Sequence, residues 1–304
     1  FKLSNSASYI TSRNSITFWP SGSNIYKTSS GTKVAKFVLT GDNWLDPSTV
    51  RLVFNVVNNK STAEVLRPVS GPWCFWRRLR IMCQGTLIED FDYNRTHEMF
   101  NRLTSLHNRD NDDIEGFGYR ADTTPPTTDH SVTTLPGIPV STYQTVSMKI
   151  LSGILSQPKY LPLKYMPLTL EFELCNLATD PVVTPDVALP AGIFTAANAS
   201  SDWQLENLQI KCDVCTLDNA LQNSYDSHML SGKSLPINYN TYITQSQAIS
   251  GQDVSVNVSR AITRLKAIFC SFYKTPASEP ADLKDWCKLE NPMGSESGAA
   301  YDRI

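Results

Sequence analysis

The pair His97-Glu98 comes nearest in residue type to a metal-dependent active site. Zinc proteases place two histidines in the helical pattern H-E-x-x-H, so that both imidazoles reach one ion. Here the fifth position is Asn101, so the second imidazole is missing. We therefore predict a polar helix face in which His97 packs or caps, and no metal site.

The seven cysteines of the chain include one C-x-x-C pair, Cys212 and Cys215. On a strand these two side chains point to opposite faces, which is poor geometry for a shared metal or a redox pair. An odd number of cysteines without framework spacing favours a reducing compartment. We predict two unrelated thiols.

The acidic run Asp110-Asn-Asp-Asp-Ile-Glu115 offers oxygen ligands for calcium, but it lacks the glycine and the distal glutamate of an EF-hand. We interpret it as a solvated loop. The chain also contains no nucleophile elbow, P-loop or dinucleotide fingerprint. The sequence thus assigns no catalytic, metal or cofactor-binding residue, and we predict that the protein is not an enzyme and has no cofactor.

A basic stripe, Arg77, Arg78 and Arg80, lies next to Trp73 and Trp76. Arginine interleaved with aromatic residues binds single-stranded nucleic acid by stacking. The same residue types are favoured at protein interfaces. Because the net charge is only −2, no global field attracts nucleic acid. We favour a subunit interface for the stripe and expect no specific nucleic-acid binding.

The stripe belongs to the most regular pattern in the chain. Apolar and polar residues alternate from Leu79 to Cys83, as in a half-buried strand. Gln84-Gly85 permits a tight turn, because glycine adopts positive φ without steric cost. A second strand, Thr86 to Ile88, precedes a helix capped by Asp92 or Asn94. A hairpin and short helix, in a chain otherwise full of strands, indicate an elaborated all-β sandwich.

The same alternation predicts further strands at Val34–Leu39, Val50–Val57, Thr145–Ile150, Leu168–Leu174, Leu208–Val214, Tyr239–Thr244, Val254–Val258 and Leu265–Tyr273. A second helix, capped by Asp218, ends near Gly232. We predict three parts: a polar N-terminal arm at 1–31, a first unit at 32–202, and a second unit at 203–304. The second unit ends without a closing strand.

Length and composition are compatible with this division. A chain of 304 residues, with 41% hydrophobic and 18% charged residues, holds two ordinary domains or one large β domain. No run of 18 apolar residues occurs, so we predict no transmembrane helix. The chain starts without methionine or a signal-peptide pattern, and we expect it to begin inside a longer polypeptide.

Three parts of the sequence together resemble the major capsid proteins of the Polinton-like and virophage-like lineage of double jelly-roll viruses. These are Leu79–Asp90 running into Tyr93–Phe100, Asp218–Gln222 with Leu230–Pro236, and Ser259–Phe269 followed by Asn291–Gly294. The resemblance implies tandem, eight-stranded jelly rolls that stand perpendicular to a capsid surface. It also implies a homotrimer that forms a pseudo-hexagonal capsomer and tiles an icosahedral shell around double-stranded DNA.

Several expectations follow from that resemblance. The chain is expected in the virion shell, assembled inside the host cell, in contact with neighbouring capsomers and minor capsid proteins. Such proteins continue past Ile304, so the second jelly roll is expected to be incomplete in this chain. The arm at 1–31 would lie beneath or between capsomers with Trp19 as an anchor, and the loops at 107–142 and 176–202 would contact neighbouring subunits.

Two other classes of protein remain open. A carbohydrate-binding β-sandwich has similar sheets and loops, but it would act as a monomer. A minor or vertex capsid protein has a single jelly roll, without a second set of strands after residue 203. An enzyme on this scaffold would need clustered histidines, whereas the four histidines are scattered at 97, 107, 130 and 228.

Overall fold

A computed structural model describes residues 9–61, 64–68, 71–103, 117, 137–182, 200–248, 255–258, 262 and 264–270. Over these ranges the regular structure is two antiparallel β-sheets that enclose one hydrophobic core, with two short helices. This confirms the predicted all-β class.

Ten strands occur in the described residues. In chain order they are β1 (Ile10–Phe18), β2 (Ile25–Tyr26), β3 (Val34–Leu39), β4 (Trp44–Asn58), β5 (Trp76–Cys83), β6 (Thr86–Asp92), β7 (Tyr143–Lys149), β8 (Leu161–Pro162), β9 (Leu168–Leu174) and β10 (Trp203–Leu217). The helices are α1 (Tyr93–Leu103) and α2 (Asn219–Leu230), and a single 3-10 turn spans Pro72–Phe75.

The strand order identifies the sandwich as a jelly roll. One sheet has the order β1-β10-β4-β7, extended by the two-residue strands β2 and β8, and the other has the order β3-β9-β5-β6. Among the eight longer strands, the chain changes sheet at every step except the β5–β6 hairpin. Eight antiparallel strands wrapped over two sheets, with the first and last as neighbours, form a complete jelly roll.

Two strands of the jelly roll lie outside the segment predicted as the first unit, 32–202. Strand β1 lies within the predicted arm at 1–31, and β10 lies within the predicted second unit at 203–304. In the structure they pair with each other, for example Ile16 with Cys212, and β10 pairs with β4 on its other side. Alternation identifies a strand, but it does not say which distant strand becomes its neighbour.

A bulge explains why the first half of β10 was missed. Asn207 adopts a positive φ of 52°, and the register against β4 shifts between Glu206 and Gln209. Asparagine tolerates this left-handed conformation better than most residues. As a result Leu205 and Leu208 both face the core, three positions apart. The period-2 pattern that begins at Trp203 is therefore interrupted at Asn207 and resumes from Leu208 to Val214.

The core is centred on Phe172 of β9, which is 0% exposed. Its ring lies 6.2 Å from that of Phe37, 5.4 Å from that of Trp76 and 5.9 Å from that of Tyr93, centroid to centroid. Burying one such side chain contributes roughly 1.5–3 kcal/mol. Residues from β3, β5, β9 and the start of α1 thus meet at one point.

The chain beyond α2 has a different character. The predicted strands at 239–244, 254–258 and 265–273 are irregular wherever their residues are described. Gln245 Nε2 donates to Asn257 O at 2.6 Å, and Gln247 Nε2 donates to Ser255 O at 3.5 Å. These contacts indicate two antiparallel segments side by side, without a backbone ladder.

Candidate interaction surfaces

The basic stripe is paired within its own sheet. Arg78 donates both Nε and Nη2 to the carboxylate of Asp90 on β6. Arg77 is hydrogen-bonded to Glu173 on β9, and Arg80 lies 3.6 Å from Glu171 of the same strand. The hypothesis that the stripe binds acidic groups of another subunit therefore loses its main support.

A bulge in β5 places two of these arginines side by side on the outer face. Against β9, Trp76 pairs with Leu174 and Arg78 pairs with Glu173, so Arg77 is the extra residue. The neighbouring Trp76 is consequently directed into the core and fully buried. Trp73 is also buried, so neither ring is available for stacking on a base.

The histidine and glutamate that suggested a metal site have structural partners on α1. The ring of His97 stacks on Trp73 at 4.2 Å between centroids, which agrees with the expected packing role. The Trp73 indole N–H donates to Glu98 Oε2 at 2.9 Å. In the described part of the chain, no three His, Cys, Asp or Glu side chains are placed to hold a metal ion.

The two cysteines of the C-x-x-C pair separate as predicted. Cys212 lies in the core between the sheets, where burial raises the pKa of its thiol to about 12. Cys215 is also buried, but outside that core. Burial is also the main cause that raises the pKa of Cys215.

Two long loops leave the sandwich at the same end, and Asn58 ties their stems together. Asn58 is fully buried at the end of β4. Its Nδ2 donates to Ile138 O at 3.1 Å, on the stem of the 107–142 loop. Its Oδ1 accepts from Ser200 Oγ at 2.7 Å, on the stem of the 176–202 loop. The greater part of both loops, including the acidic run 110–115, lies outside the described residues.

Exposed aromatic side chains flank β1 in the segment predicted to be an arm. Trp19, the predicted anchor, is 59% exposed, and Tyr9 is exposed at the other end of the strand. Within the described residues β1 pairs only with β10, so its other backbone edge is open. The anchoring role of Trp19 stays a prediction.

Helix α2 docks at the end of the sandwich opposite the two loops. The Trp44 indole N–H donates to Gln222 Oε1 at 2.9 Å, and its ring lies 4.9 Å from Tyr225. Asp226 accepts hydrogen bonds from Tyr165 and, at 2.8 Å, from Gln222 Nε2. The Asp218 carboxylate caps the helix by accepting from Ala220 N at 3.0 Å, as predicted.

Glu89 of β6 is a buried carboxylate that the sequence did not reveal, and it lies next to the segment after α2. Glu89 is 1% exposed. It accepts hydrogen bonds from the Ser152 hydroxyl, from Gly153 N at 2.8 Å and from Ile154 N at 3.2 Å. Burial raises the pKa of its carboxyl, and these bonds offset that only in part. In the sequence Glu89 belongs to an acidic cluster with Asp90 and Asp92, which gave no sign of burial.

No helix in the described residues is long and apolar enough to span a membrane. No family model matches the sequence, and no curated protein matches it.

The search of solved structures found viral chains of low sequence identity. One is PBCV-1 VP54 fitted into a reconstruction of the virophage Sputnik, with a TM-score of 0.46, 13% identity, and coverage of 72% of this chain and 45% of that chain. The cryo-EM structure of the Sputnik virophage gives a TM-score of 0.44 and 10% identity over 72% and 51%. The Faustovirus major capsid protein gives 0.40 and 8% over 72% and 56%. The chain thus spans about half the length of the structures it matches.

Proposed function

We propose that this chain is part of a viral major capsid protein and contributes one complete jelly roll and the start of a second. The observation that carries the proposal is the eight-strand jelly-roll order from β1 to β10. The resemblance of three sequence segments to double jelly-roll capsid proteins supports it independently. Three chains would form a pseudo-hexagonal capsomer, and capsomers would tile an icosahedral shell around double-stranded DNA.

The arrangement of the surfaces suits such a building block. The outer face of the β3-β9-β5-β6 sheet satisfies its charges internally, through ion pairs such as Arg78–Asp90 and Arg77–Glu173. The stems of the two long loops instead meet at the end marked by Asn58, and loops at the ends of a scaffold commonly carry binding contacts. We place the contacts between subunits there.

The solution mass of the purified chain tests the proposal. Light scattering at micromolar concentration should give about three times the 33.9 kDa of one chain, and negative-stain images should show hexagonal outlines. A folded monomer that binds oligosaccharides would contradict the proposal and favour the carbohydrate-binding class.

A further inference from the structure

We propose that Glu89 is a pH-sensitive clamp that holds residues 237–244 on the jelly roll, more tightly in acid than at neutral pH. The clamp joins β6 and the turn at 152–155 to the chain that follows α2. It acts within one chain, so it does not depend on what the protein assembles into.

Close approach at Gly153 is the first support. The carbonyl oxygen of Asn240 lies 1.6 Å from the place where a Cβ of Gly153 would stand, and Glu89 Oε1 lies 2.7 Å from the same place. The backbone of the segment and the buried carboxylate therefore meet at a position that only glycine permits.

Further contacts hold the same segment along β6 and α1. Asp92 N donates to Thr244 Oγ1 at 2.9 Å. The ring of Tyr242 lies 5.4 Å from that of Phe91 and 5.1 Å from that of Phe100. The ring contacts of Tyr242 thus lie between the close approach of Asn240 to Gly153 and the hydrogen bond of Thr244. Together these contacts hold segment 237–244 on the jelly roll, and the buried carboxylate of Glu89 lies beside them.

A cavity of about 210 Å³ borders this contact. It is lined from the loop side by Gly153, Ser156 and Gln157 and from the segment side by Tyr239, Asn240 and others. A space of this size holds several water molecules. Water therefore has room beside the contact between Gly153 and the segment.

The ionisable groups around Glu89 come from the segment, from the loop and from its own strand. From the segment, Tyr239 and Tyr242 face it, and burial first and the charge of Glu89 second raise the pKa of both phenols. From the loop, Lys159 donates to Pro236 O at 3.1 Å. On its own strand Asp90 turns to Arg78 at the outer face.

The sign of the pH effect follows from the raised pKa. When the segment lifts away, Glu89 regains water and its pKa returns toward the ordinary 4.5. Below that pH both states are protonated, and the clamp has its full strength. As the pH rises toward and through the raised pKa, the clamped state must bear a buried charge and loses stability relative to the open state.

Hydrogen exchange of the full chain tests the clamp. Protection factors for peptides within 237–244 should fall as the pH rises from about 4, below the ordinary pKa of a glutamate, to about 8, by up to roughly tenfold for each unit by which the pKa is raised. Glu89→Gln should keep the acid-level protection at both pH values. Glu173→Gln, which removes a partly exposed carboxylate paired with Arg77, is the matched control and should behave as the wild type.

Two outcomes would overturn the clamp: constant protection in the wild type across this range, or the same pH dependence in Glu89→Gln. Gly153→Ala adds a geometric test, because its Cβ collides with the Asn240 carbonyl and should release the segment at every pH. Peptides from β9 report whether each variant still folds. If Gly153→Ala keeps both β9 and the segment protected, the close contact does not hold the segment and the clamp is refuted.

Discussion

The jelly roll from Ile10 to Leu217 and the described residues that follow α2 carry similar alternating sequences, but they differ in structure. In the jelly roll, alternating apolar side chains face a second sheet and are buried. After α2, comparable side chains such as Val256, Leu265 and Phe269 are exposed. Alternation is thus not sufficient for a strand, because a paired edge and a covered face decide whether the strand forms.

Removal of β1 should destabilise the jelly roll more than any of the substitutions that follow. Truncation of residues 1–18 leaves β10 without its neighbour in eight register positions. Each lost hydrogen bond costs about 0.5–1.5 kcal/mol, against a total stability of about 5–15 kcal/mol for a typical domain. We expect the truncated chain to lose its cooperative unfolding transition in urea. Truncation of residues 1–8, which precede Tyr9 and β1, is the control and should leave the transition in place.

Two phenylalanine substitutions, one in each region, should differ in how much they lower the free energy of unfolding. Phe172→Ala removes the ring at the centre of the core and should lower the free energy of unfolding by about 3–5 kcal/mol. Phe269 is 50% exposed and its described ring contact is with Phe100. Phe269→Ala should therefore cost under about 1 kcal/mol. Equal losses in urea denaturation would mean that the second region is as well packed as the first.

Helix α2 joins the two regions, and its cap should have an intermediate effect. Asp218→Ala removes the acceptor for Ala220 N and should destabilise the helix by about 0.5–2 kcal/mol. Because no residue of α2 is fully buried, the loss should appear as faster hydrogen exchange within the helix. Asp218→Asn preserves a capping oxygen and should exchange nearly as the wild type. Equal exchange in Asp218→Ala and the wild type would contradict the role of the cap.

The smallest effect is expected on the outer face of the jelly roll. The Arg78–Asp90 pair is partly exposed, so Arg78→Gln should change the free energy of unfolding by less than about 1 kcal/mol. Its oligomeric mass by light scattering should equal that of the wild type. A loss of assembly in Arg78→Gln with intact folding would restore the interface hypothesis for the stripe.

Local chemistry made part of the fold predictable. Strand β9 has the predicted bounds, since Leu168 to Leu174 alternate without interruption. The hairpin turn was predicted from Gly85, and Gln84 and Gly85 adopt φ of 48° and 84°. The cap at Asp218 was equally local. In each case the residues that determine the structure are adjacent in sequence.

What could not be predicted depends on distant partners. The arginine stripe resembled an interface because its partners, Asp90 and Glu173, become neighbours only when β6 and β9 flank β5. Glu89 resembled a surface acid for the same reason, since its donors lie more than 60 positions away. The role of β1 was missed because its partner is β10.

The pairing of Ile10 with Leu217 also sets an order of events during synthesis. Strand β4 is complete at Asn58, but its neighbour β10 ends only at Leu217. At about 5–20 residues per second, the ribosome needs roughly ten to thirty seconds to add that interval. During this time the edges of both β1 and β4 are open to strands of other nascent chains. A chaperone that covers the edges of β1 and β4 until β10 has been synthesised would therefore reduce wrong pairing between nascent chains.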